Sequence, residues 1–186
     1  MNQLTKKRLK IKLGLIGTGK WGRNYIRTIN EIEEIELVSI LKTNQTIPSE
    51  IKSHCKVFTE YEKFVSSQKF DGIIIASPAH THVEIANKLI KEKIPIIIEK
   101  PLSTNLIEAN SLLKLAEQKK GIVLVDHIFL YHPTFRLIKN LIKDIKNINA
   151  IKSIGGNRGP YRKDITPLWD WGPHDLALCL DLMGEM

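Results

Sequence analysis

The sequence predicts an α/β fold, with a doubly wound parallel sheet at the N-terminus followed by an incomplete α+β second domain. Three observations lead to this prediction. Short apolar runs alternate with segments of helical period, which is typical of β-α-β units on a parallel sheet. A glycine-rich turn follows the first apolar run. The chain has 186 residues, enough for one complete domain and part of a second.

The predicted strands are apolar runs bounded by turn residues, as expected for strands that are buried on both faces. They are Ile11–Ile16, Glu36–Leu41, Cys55–Phe58, Gly72–Ala76, Pro95–Glu99 and Ile122–His127. We place the first domain at residues 1–127 and the second at residues 128–186. In the second, the pattern predicts a helix near 133–146, a strand at 150–157 and a final helix near 171–183.

Two of the predicted helices begin with the signature of a capping box. One pairs Thr59 with Glu62, and the other pairs Asn105 with Glu108. The second of these helices, over 104–119, carries apolar residues three and four positions apart, so we expect one face of it to lie on the sheet. The residues of that face are Leu106, Ala109, Leu112, Leu113 and Ala116.

A glycine-rich turn joins the first predicted strand to the helix after it. Its residues are Gly17, Thr18, Gly19, Lys20, Trp21 and Gly22. They match G-x-G-x-x-G in the strand–turn–helix context that the motif requires. The first glycine permits a tight turn, the second lets the backbone approach a pyrophosphate, and the third allows close helix–strand packing. Because the helix N-terminus also attracts phosphate, the sequence predicts a Rossmann domain that binds a dinucleotide.

The choice of cofactor should depend on the residues after the second strand, where an NAD-binding domain has a carboxylate for the adenosine ribose. Here the strand is followed by Lys42, Thr43 and Asn44, without a carboxylate. A lysine beside a hydroxyl group can receive a 2′-phosphate, so NADP is slightly favoured over NAD. The alternative is that Lys42 is an ordinary solvated loop residue.

Composition and charge limit the partners. The hydrophobic fraction of 42% is that of a folded globular protein. No apolar run approaches the roughly 20 residues that span a bilayer, and no secretory signal precedes the first strand, so we expect a cytoplasmic protein with no membrane partner.

The net charge of +8 is scattered along the chain and no recognition motif accompanies it, so we expect no nucleic-acid partner. Cys55 and Cys179 are too few for a disulfide framework, and no metal-ligand spacing occurs, so we expect no metal.

Four segments of the chain resemble the Gfo/Idh/MocA family, the group of glucose-fructose oxidoreductase and inositol dehydrogenase. They are residues 17–22 (GTGKWG), 76–82 (ASPAHTH), 99–102 (EKPL) and 169–175 (WDWGPHD). The Glu-Lys-Pro segment with a histidine-containing segment far downstream is more specific than the glycine motif. The resemblance implies an NAD(P)-dependent oxidoreductase whose substrate is a small sugar or cyclitol.

The resemblance also implies a catalytic set of Lys100, Asp170 and His174. We assign His174 as the acid/base, Lys100 as the charge that stabilises the developing alkoxide, and Asp170 as the carboxylate that orients His174. These roles suit the chemistry, because a hydride leaves a carbinol carbon only as the hydroxyl proton is being removed. In the competing interpretation, Asp170 is the N-cap of the last helix and His174 is a structural histidine.

Further contacts with the cofactor and the substrate follow from the same resemblance. The cofactor contacts beyond the glycine turn and Lys42 are Ser77, Pro78, His82, Glu99 and Lys100. Ahead of the last helix lie Arg158, Tyr161 and Arg162. Arginine pairs bidentately with carboxylate or phosphate. We therefore expect these three residues to bind the substrate, and we expect that substrate to be a uronate or a nucleotide-linked sugar.

The chain is much shorter than most members of that family, whose second domain is an open sheet. The final helix would then expose an apolar face and need a partner chain or a second copy; the face consists of Leu176, Cys179, Leu180 and Met183. Three interpretations remain. The chain is a working oxidoreductase completed by another subunit, a truncated module that binds dinucleotide without turnover, or an interaction protein without a ligand. The intact catalytic set favours the first, and the missing sheet favours the second.

Overall fold

The structure, a computed structural model, describes residues 9–42, 47–142, 148, 150–156 and 165–184. The chain divides into two compact units, Met1–Leu124 and Val125–Met186, and each is described by itself. The sequence-based boundary, after residue 127, lies slightly later. Among the helices within the described ranges, none is long and apolar enough to cross a membrane.

The first unit is built on a sheet of the order β3-β2-β1-β4-β5-β6. The strands are β1 (Ile11–Ile16), β2 (Ile35–Leu41), β3 (Lys56–Phe58), β4 (Gly72–Ile75), β5 (Ile96–Glu99) and β6 (Val123–Asp126). Strand β1 pairs in parallel with β2 and β4, β2 pairs in parallel with β3, and β4 with β5. The strand order therefore reverses between β1 and β4, which confirms the predicted doubly wound fold. The division between the two units falls within β6.

Helices connect these strands and enclose the core. They are α1 (Lys20–Glu31), α2 (Tyr61–Ser66), α3 (His82–Lys91) and α4 (Leu106–Lys119), with a 3-10 turn at Ala79–Thr81 just before α3. Buried side chains of the central strands pack against Ile26 and Ile29 of α1, and the strand residues are Leu15, Leu37, Ile40 and Ile74. The burial of these strands fixes the positions of the turns that follow them, all at one edge of the sheet.

Helix α4 buries only part of its predicted apolar face. Leu112 is its buried residue, whereas Leu106 and Leu113 of the predicted face are 74% and 57% exposed. The helix packs against α3, and α3 in turn contacts β4 and β5. The expectation that this face lies on the sheet stays a prediction. Apolar spacing shows that a helix has a face, but it does not show which element covers that face.

One of the two predicted capping boxes, that of α4, has the N-cap residue that was predicted, Asn105. The Asn105 side chain accepts hydrogen bonds from two backbone N–H groups of the first turn of α4, at 2.9 and 3.4 Å. The Glu108 carboxylate accepts from Ser103 Oγ at 2.8 Å, and that hydroxyl accepts from the backbone N of Asn105 at 3.0 Å. Ser103 is therefore hydrogen-bonded to both residues of the predicted box, and it replaces the direct bond between them. The other box is wrong, because Glu60 is the N-cap of α2 and no side chain of the described residues caps that helix, so Thr59 lies one residue too early.

The second unit contains a 3-10 segment at Ile128–Tyr131, α5 (Pro133–Ile142) and α6 (Pro167–Met183). Lys139 and Asp181 connect α5 to α6 by an ion pair of 2.7 Å. The predicted end of α5 lies outside the described residues. The predicted strand at 150–157 is wrong for residues 150–156, which have no regular structure. Among the described residues no strand pairs with this segment, and a strand needs a partner for its backbone groups.

Helix α6 begins a full turn before its predicted start. Thr166 is the N-cap residue and Pro167 occupies the first turn, where the missing N–H of proline costs nothing. The backbone N of Asp170 donates to the Thr166 carbonyl at 3.0 Å. Asp170 therefore lies inside the helix, and the interpretation of Asp170 as an N-cap is wrong. Three side chains of the predicted apolar face are exposed, namely Leu176, Leu180 and Met183.

The two cysteines should react at very different rates. Cys55 lies in the core of the first unit, 8% exposed, and burial raises the pKa of its thiol to about 11. At pH 8 such a thiol is about one thousandth ionised, whereas an ordinary thiol is about one quarter ionised. We expect Ellman's reagent to titrate one thiol of the folded chain quickly, that of the less buried Cys179, and the other only in urea. The variant Cys179→Ser should lose the fast phase, and a fast phase that survives would contradict this assignment.

Candidate functional site

The turn between β1 and α1 lies against the ends of both neighbouring strands. Gly17 has a φ of +95°, and a Cβ on it would lie 2.6 Å from the carbonyl group of Ala76, directly after β4. Its backbone N donates to the Leu41 carbonyl, the last residue of β2, at 2.9 Å. Only glycine fits both the dihedral angle and the space. The prediction that Gly17 permits the tight turn is therefore confirmed.

The other two glycines of the motif have contrasting surroundings. Gly22 is buried in α1, and a Cβ on it would overlap the carbonyl oxygen of Gly17, which confirms the predicted close packing of helix and strand end. Gly19 is exposed at the N-cap of α1, and a Cβ on it would meet no described atom within 4 Å. In the described part of the chain, no side chain caps α1. Open space beside uncapped helical N–H groups is what a pyrophosphate requires.

The remaining residues predicted around this turn vary in exposure. Thr18 is buried, whereas Lys20 and Trp21 are exposed. Lys42 directly follows β2, is 8% exposed, and donates its backbone N–H to the Phe58 carbonyl at 2.9 Å. Its proposed contact with a 2′-phosphate stays a prediction. The residues that follow it, 43–46, lie outside the described residues.

A pair of hydroxyl groups shapes the turn after β4. Thr81 Oγ1 donates to the Pro78 carbonyl at 2.8 Å and lies 2.6 Å from Ser77 Oγ. Because the Thr81 proton is engaged with Pro78, Ser77 is the donor of the second bond. Thr81 was absent from the predicted site. A hydroxyl residue four positions after Ser77 was the signal for it, since serine and threonine commonly bond to nearby backbone carbonyls.

His82, the first residue of α3, connects the turns that follow β4 and β5. Its Nδ1 lies 2.9 Å from the Pro101 carbonyl oxygen and its Nε2 lies 2.9 Å from the Ser77 carbonyl oxygen. The side chain is 1% exposed, so the ring touches a ligand only if the turns above it move. Burial lowers the pKa of His82, and the two carbonyl groups oppose this shift because they favour a ring protonated on both nitrogens.

The turn after β5 carries the Glu-Lys-Pro segment. Glu99 is the last residue of β5 and is 6% exposed, and Lys100 is 9% exposed. The Lys100–Pro101 peptide bond is cis. Lys100 therefore lies at the carboxyl edge of the sheet, at the strand end next to β4, where open α/β sheets bind their ligands.

In the second unit, Asp170 and His174 lie on one face of α6, as their spacing predicts for a helix. His174 is 6% exposed. Its ring packs edge-on against Phe129, with centroids 4.6 Å apart, and against Trp171 at 6.1 Å. The third member of the predicted catalytic set, Lys100, belongs to the first unit, so the two groups are described separately. The predicted substrate residues Arg158, Tyr161 and Arg162 lie outside the described residues.

The fold and the glycine turn define a class of protein, α/β chains that begin with a Rossmann sheet and its G-x-G-x-x-G turn. A family model described as "Oxidoreductase family, NAD-binding Rossmann fold" matches residues 11–127. The chain belongs to this family, the Gfo/Idh/MocA oxidoreductases, as its four characteristic segments predict.

Relatives of the chain include enzymes of sugar and cyclitol metabolism. The UDP-N-acetylglucosamine 3-dehydrogenase of Acidithiobacillus ferrooxidans is 24% identical over 95% of this chain and 55% of its own length. The scyllo-inositol 2-dehydrogenase (NADP(+)) of Bacillus subtilis is 25% identical over 94% of this chain and 52% of its own. A crystal structure from Magnetospirillum magnetotacticum, named only in general terms as an oxidoreductase, is 36% identical with a TM-score of 0.87, over 95% of this chain and 58% of its own. The chain spans little more than half the length of these relatives.

Proposed function

We propose that this protein is an NAD(P)-dependent oxidoreductase that transfers a hydride between nicotinamide and a hydroxyl-bearing carbon of a sugar or cyclitol. The observation that carries the proposal is the β1–α1 turn. There Gly17 and Gly22 are required by the packing of the protein itself, whereas the space beside Gly19 is empty of described atoms. A glycine kept where the protein has room for a side chain is best explained by a ligand that occupies the room.

The strand order indicates how the cofactor would lie. The phosphates bind at the N-terminus of α1, and the adenosine ribose lies at the end of β2, beside Lys42. Because β4 and β5 lie on the other side of β1, the nicotinamide half extends over the turns that contain Ser77 and Lys100. We keep the slight preference for NADP, since a lysine rather than a carboxylate follows β2.

The chemistry that the bound cofactor supplies is the acceptance or donation of a hydride at nicotinamide. The protein must handle the proton and the charge on the substrate oxygen. We assign removal of the hydroxyl proton to the imidazole of His174 and stabilisation of the alkoxide to the ammonium group of Lys100. Asp170, one turn before His174 on the same helix face, orients it. Arg158, Tyr161 and Arg162 would hold a phosphate or carboxylate of the substrate.

Binding and turnover test the proposal in that order. We expect saturable binding of NADPH or NADH, followed by nicotinamide fluorescence, with a Kd on the order of micromolar. Turnover would then be measured with scyllo-inositol and UDP-N-acetylglucosamine, the compounds named for two relatives. The variant His174→Ala should abolish turnover and leave the Kd of the cofactor unchanged, while His132→Ala, which removes an exposed histidine of the same unit, should change neither.

Two outcomes would count against parts of the proposal. If the unmodified chain binds neither NADPH nor NADH, the proposed function is wrong. If it binds one of them and turns over no tested substrate, the alternative of a dinucleotide-binding module without turnover is favoured.

A further inference from the structure

Both nitrogens of the His82 ring lie within hydrogen-bond distance of backbone carbonyl groups, and the two carbonyl groups belong to turns that are distant in sequence. The His82 bridge is defined here as the His82 ring together with the carbonyl groups of Ser77 and Pro101, each 2.9 Å from a ring nitrogen. Both partners are acceptors, so a neutral ring donates its single N–H to one of them, and only a ring protonated on both nitrogens donates to both. The aromatic ring is rigid and almost completely buried, which fixes the distance between the two turns. A histidine that served only to fill the core would not need both nitrogens at backbone oxygens.

The bridge lies on one side of the expected cofactor position. The turns that it joins follow β4 and β5, whereas the adenosine ribose and the pyrophosphate of a bound dinucleotide are expected at the ends of β2 and β1. Gly17 also lies against the backbone of Ala76 and Ser77, so the turn held by the bridge directly adjoins the glycine turn. The bridge therefore lies beneath the region left for the nicotinamide half, and Lys100 is the residue next to one of its two carbonyl groups.

We propose that His82 is a positioning residue, whose bridge sets the Ser77–Pro78 turn and the Glu99–Pro101 turn in the arrangement that receives the nicotinamide half of the cofactor and directs Lys100. This inference rests on the proposed function. It replaces the direct cofactor contact expected for His82 with an indirect one, because the ring is covered by the turns that it connects. The adenosine half of the cofactor is bound by other turns and does not depend on the bridge.

The test compares binding of each whole cofactor with binding of the matching fragment that lacks nicotinamide. Binding of NADH is compared with ADP-ribose, and binding of NADPH with 2′-phospho-ADP-ribose, in the full chain. The variant His82→Phe keeps an aromatic ring and removes all hydrogen bonding by the ring nitrogens, and His82→Gln keeps an amide donor. We expect His82→Phe to weaken binding of the nicotinamide-containing member of each pair about tenfold, the effect of roughly one lost hydrogen-bonded constraint. Binding of the ribose fragment should stay within about twofold, and His82→Gln should recover part of the loss.

The matched control is His80→Phe, which replaces an exposed histidine of the same turn with phenylalanine. This variant should leave all four affinities unchanged. Equal losses for whole cofactor and fragment, or no loss for either, would overturn the positioning role while leaving the proposed function in place. The same holds if both His82 variants are unfolded by circular dichroism, because His82 would then be a residue of the fold. If the unmodified chain binds neither cofactor nor fragment, the proposed function itself fails, and the positioning role fails with it.

Discussion

Replacing Gly19 with valine is expected to weaken dinucleotide binding at least about a hundredfold, roughly 2.7 kcal/mol, while leaving the melting temperature almost unchanged. Gly19 has a φ of −69°, which any residue adopts, and a Cβ on it meets no described atom within 4 Å. The protein therefore has room for the valine side chain. A pyrophosphate at the N-terminus of α1 does not, because it needs the backbone to approach within hydrogen-bonding distance. The Kd from nicotinamide fluorescence and the melting temperature from circular dichroism are the two measurements.

Gly156→Val is the matched control for this variant. Gly156 is also exposed, and a Cβ on it also meets no described atom within 4 Å, so the control adds the same surface side chain at a different place. It should leave both the Kd and the melting temperature unchanged. Unaltered binding by Gly19→Val would mean that the cofactor does not lie at the start of α1. A large drop in its melting temperature would mean that the glycine serves the fold.

The central strands were predictable because burial on both faces leaves a local signal in the sequence. Strand β4 reads Gly-Ile-Ile-Ile, and all four of its residues are buried, so a continuous apolar run was enough to place it. The glycine turn was predictable for the same reason, since its sequence pattern and its backbone geometry lie within six consecutive residues. The Asn105 cap likewise involves neighbours in the chain.

Some of the predictions that the structure corrects concern features that depend on distant residues, and others concern the exact ends of helices. Helix α4 has a clear apolar face, but the location of α3 decides that much of this face stays exposed. The segment at 150–156 was predicted as a strand, yet a strand forms only beside another strand. The start of α6 was misplaced although its signal is local, since Thr166 is a typical N-cap residue and Pro167 is a typical residue of the first turn.

In the candidate site, too, some features could be predicted from the sequence and others could not. The ends of β1, β4 and β5 meet at one edge because parallel strands share a direction, so the location of Gly17, Ser77 and Lys100 was predictable from topology. The His82 bridge could not be predicted, because its two partners are backbone carbonyl groups of Ser77 and Pro101. Every residue has such a carbonyl group, so the sequence does not show which of them a side chain contacts. A histidine can serve as ligand, base or hydrogen-bonded support, and only its surroundings distinguish these roles.

The substitution Gly22→Ala is expected to destabilise the first unit by about 3 kcal/mol or more, at the upper end of overpacking effects. Alanine is the better helix former by about 1 kcal/mol, so helix propensity alone predicts stabilisation. The Cβ, however, would overlap the carbonyl oxygen of Gly17 and lie 2.9 Å from its carbonyl carbon. Backbone atoms cannot move aside as a flexible side chain can, so α1 must shift away from the end of β1.

Urea unfolding followed by circular dichroism measures the effect, and Thr28→Ala is the control. Thr28 is an exposed residue of the same helix, so its replacement tests helix propensity without the steric overlap and should be neutral or slightly stabilising. Because the displaced helix also carries the N–H groups expected at the phosphates, Gly22→Ala should lose cofactor binding together with stability, whereas Gly19→Val loses binding alone. A Gly22→Ala variant with an unchanged urea midpoint would show that the close approach of α1 to the end of β1 is not required by the fold.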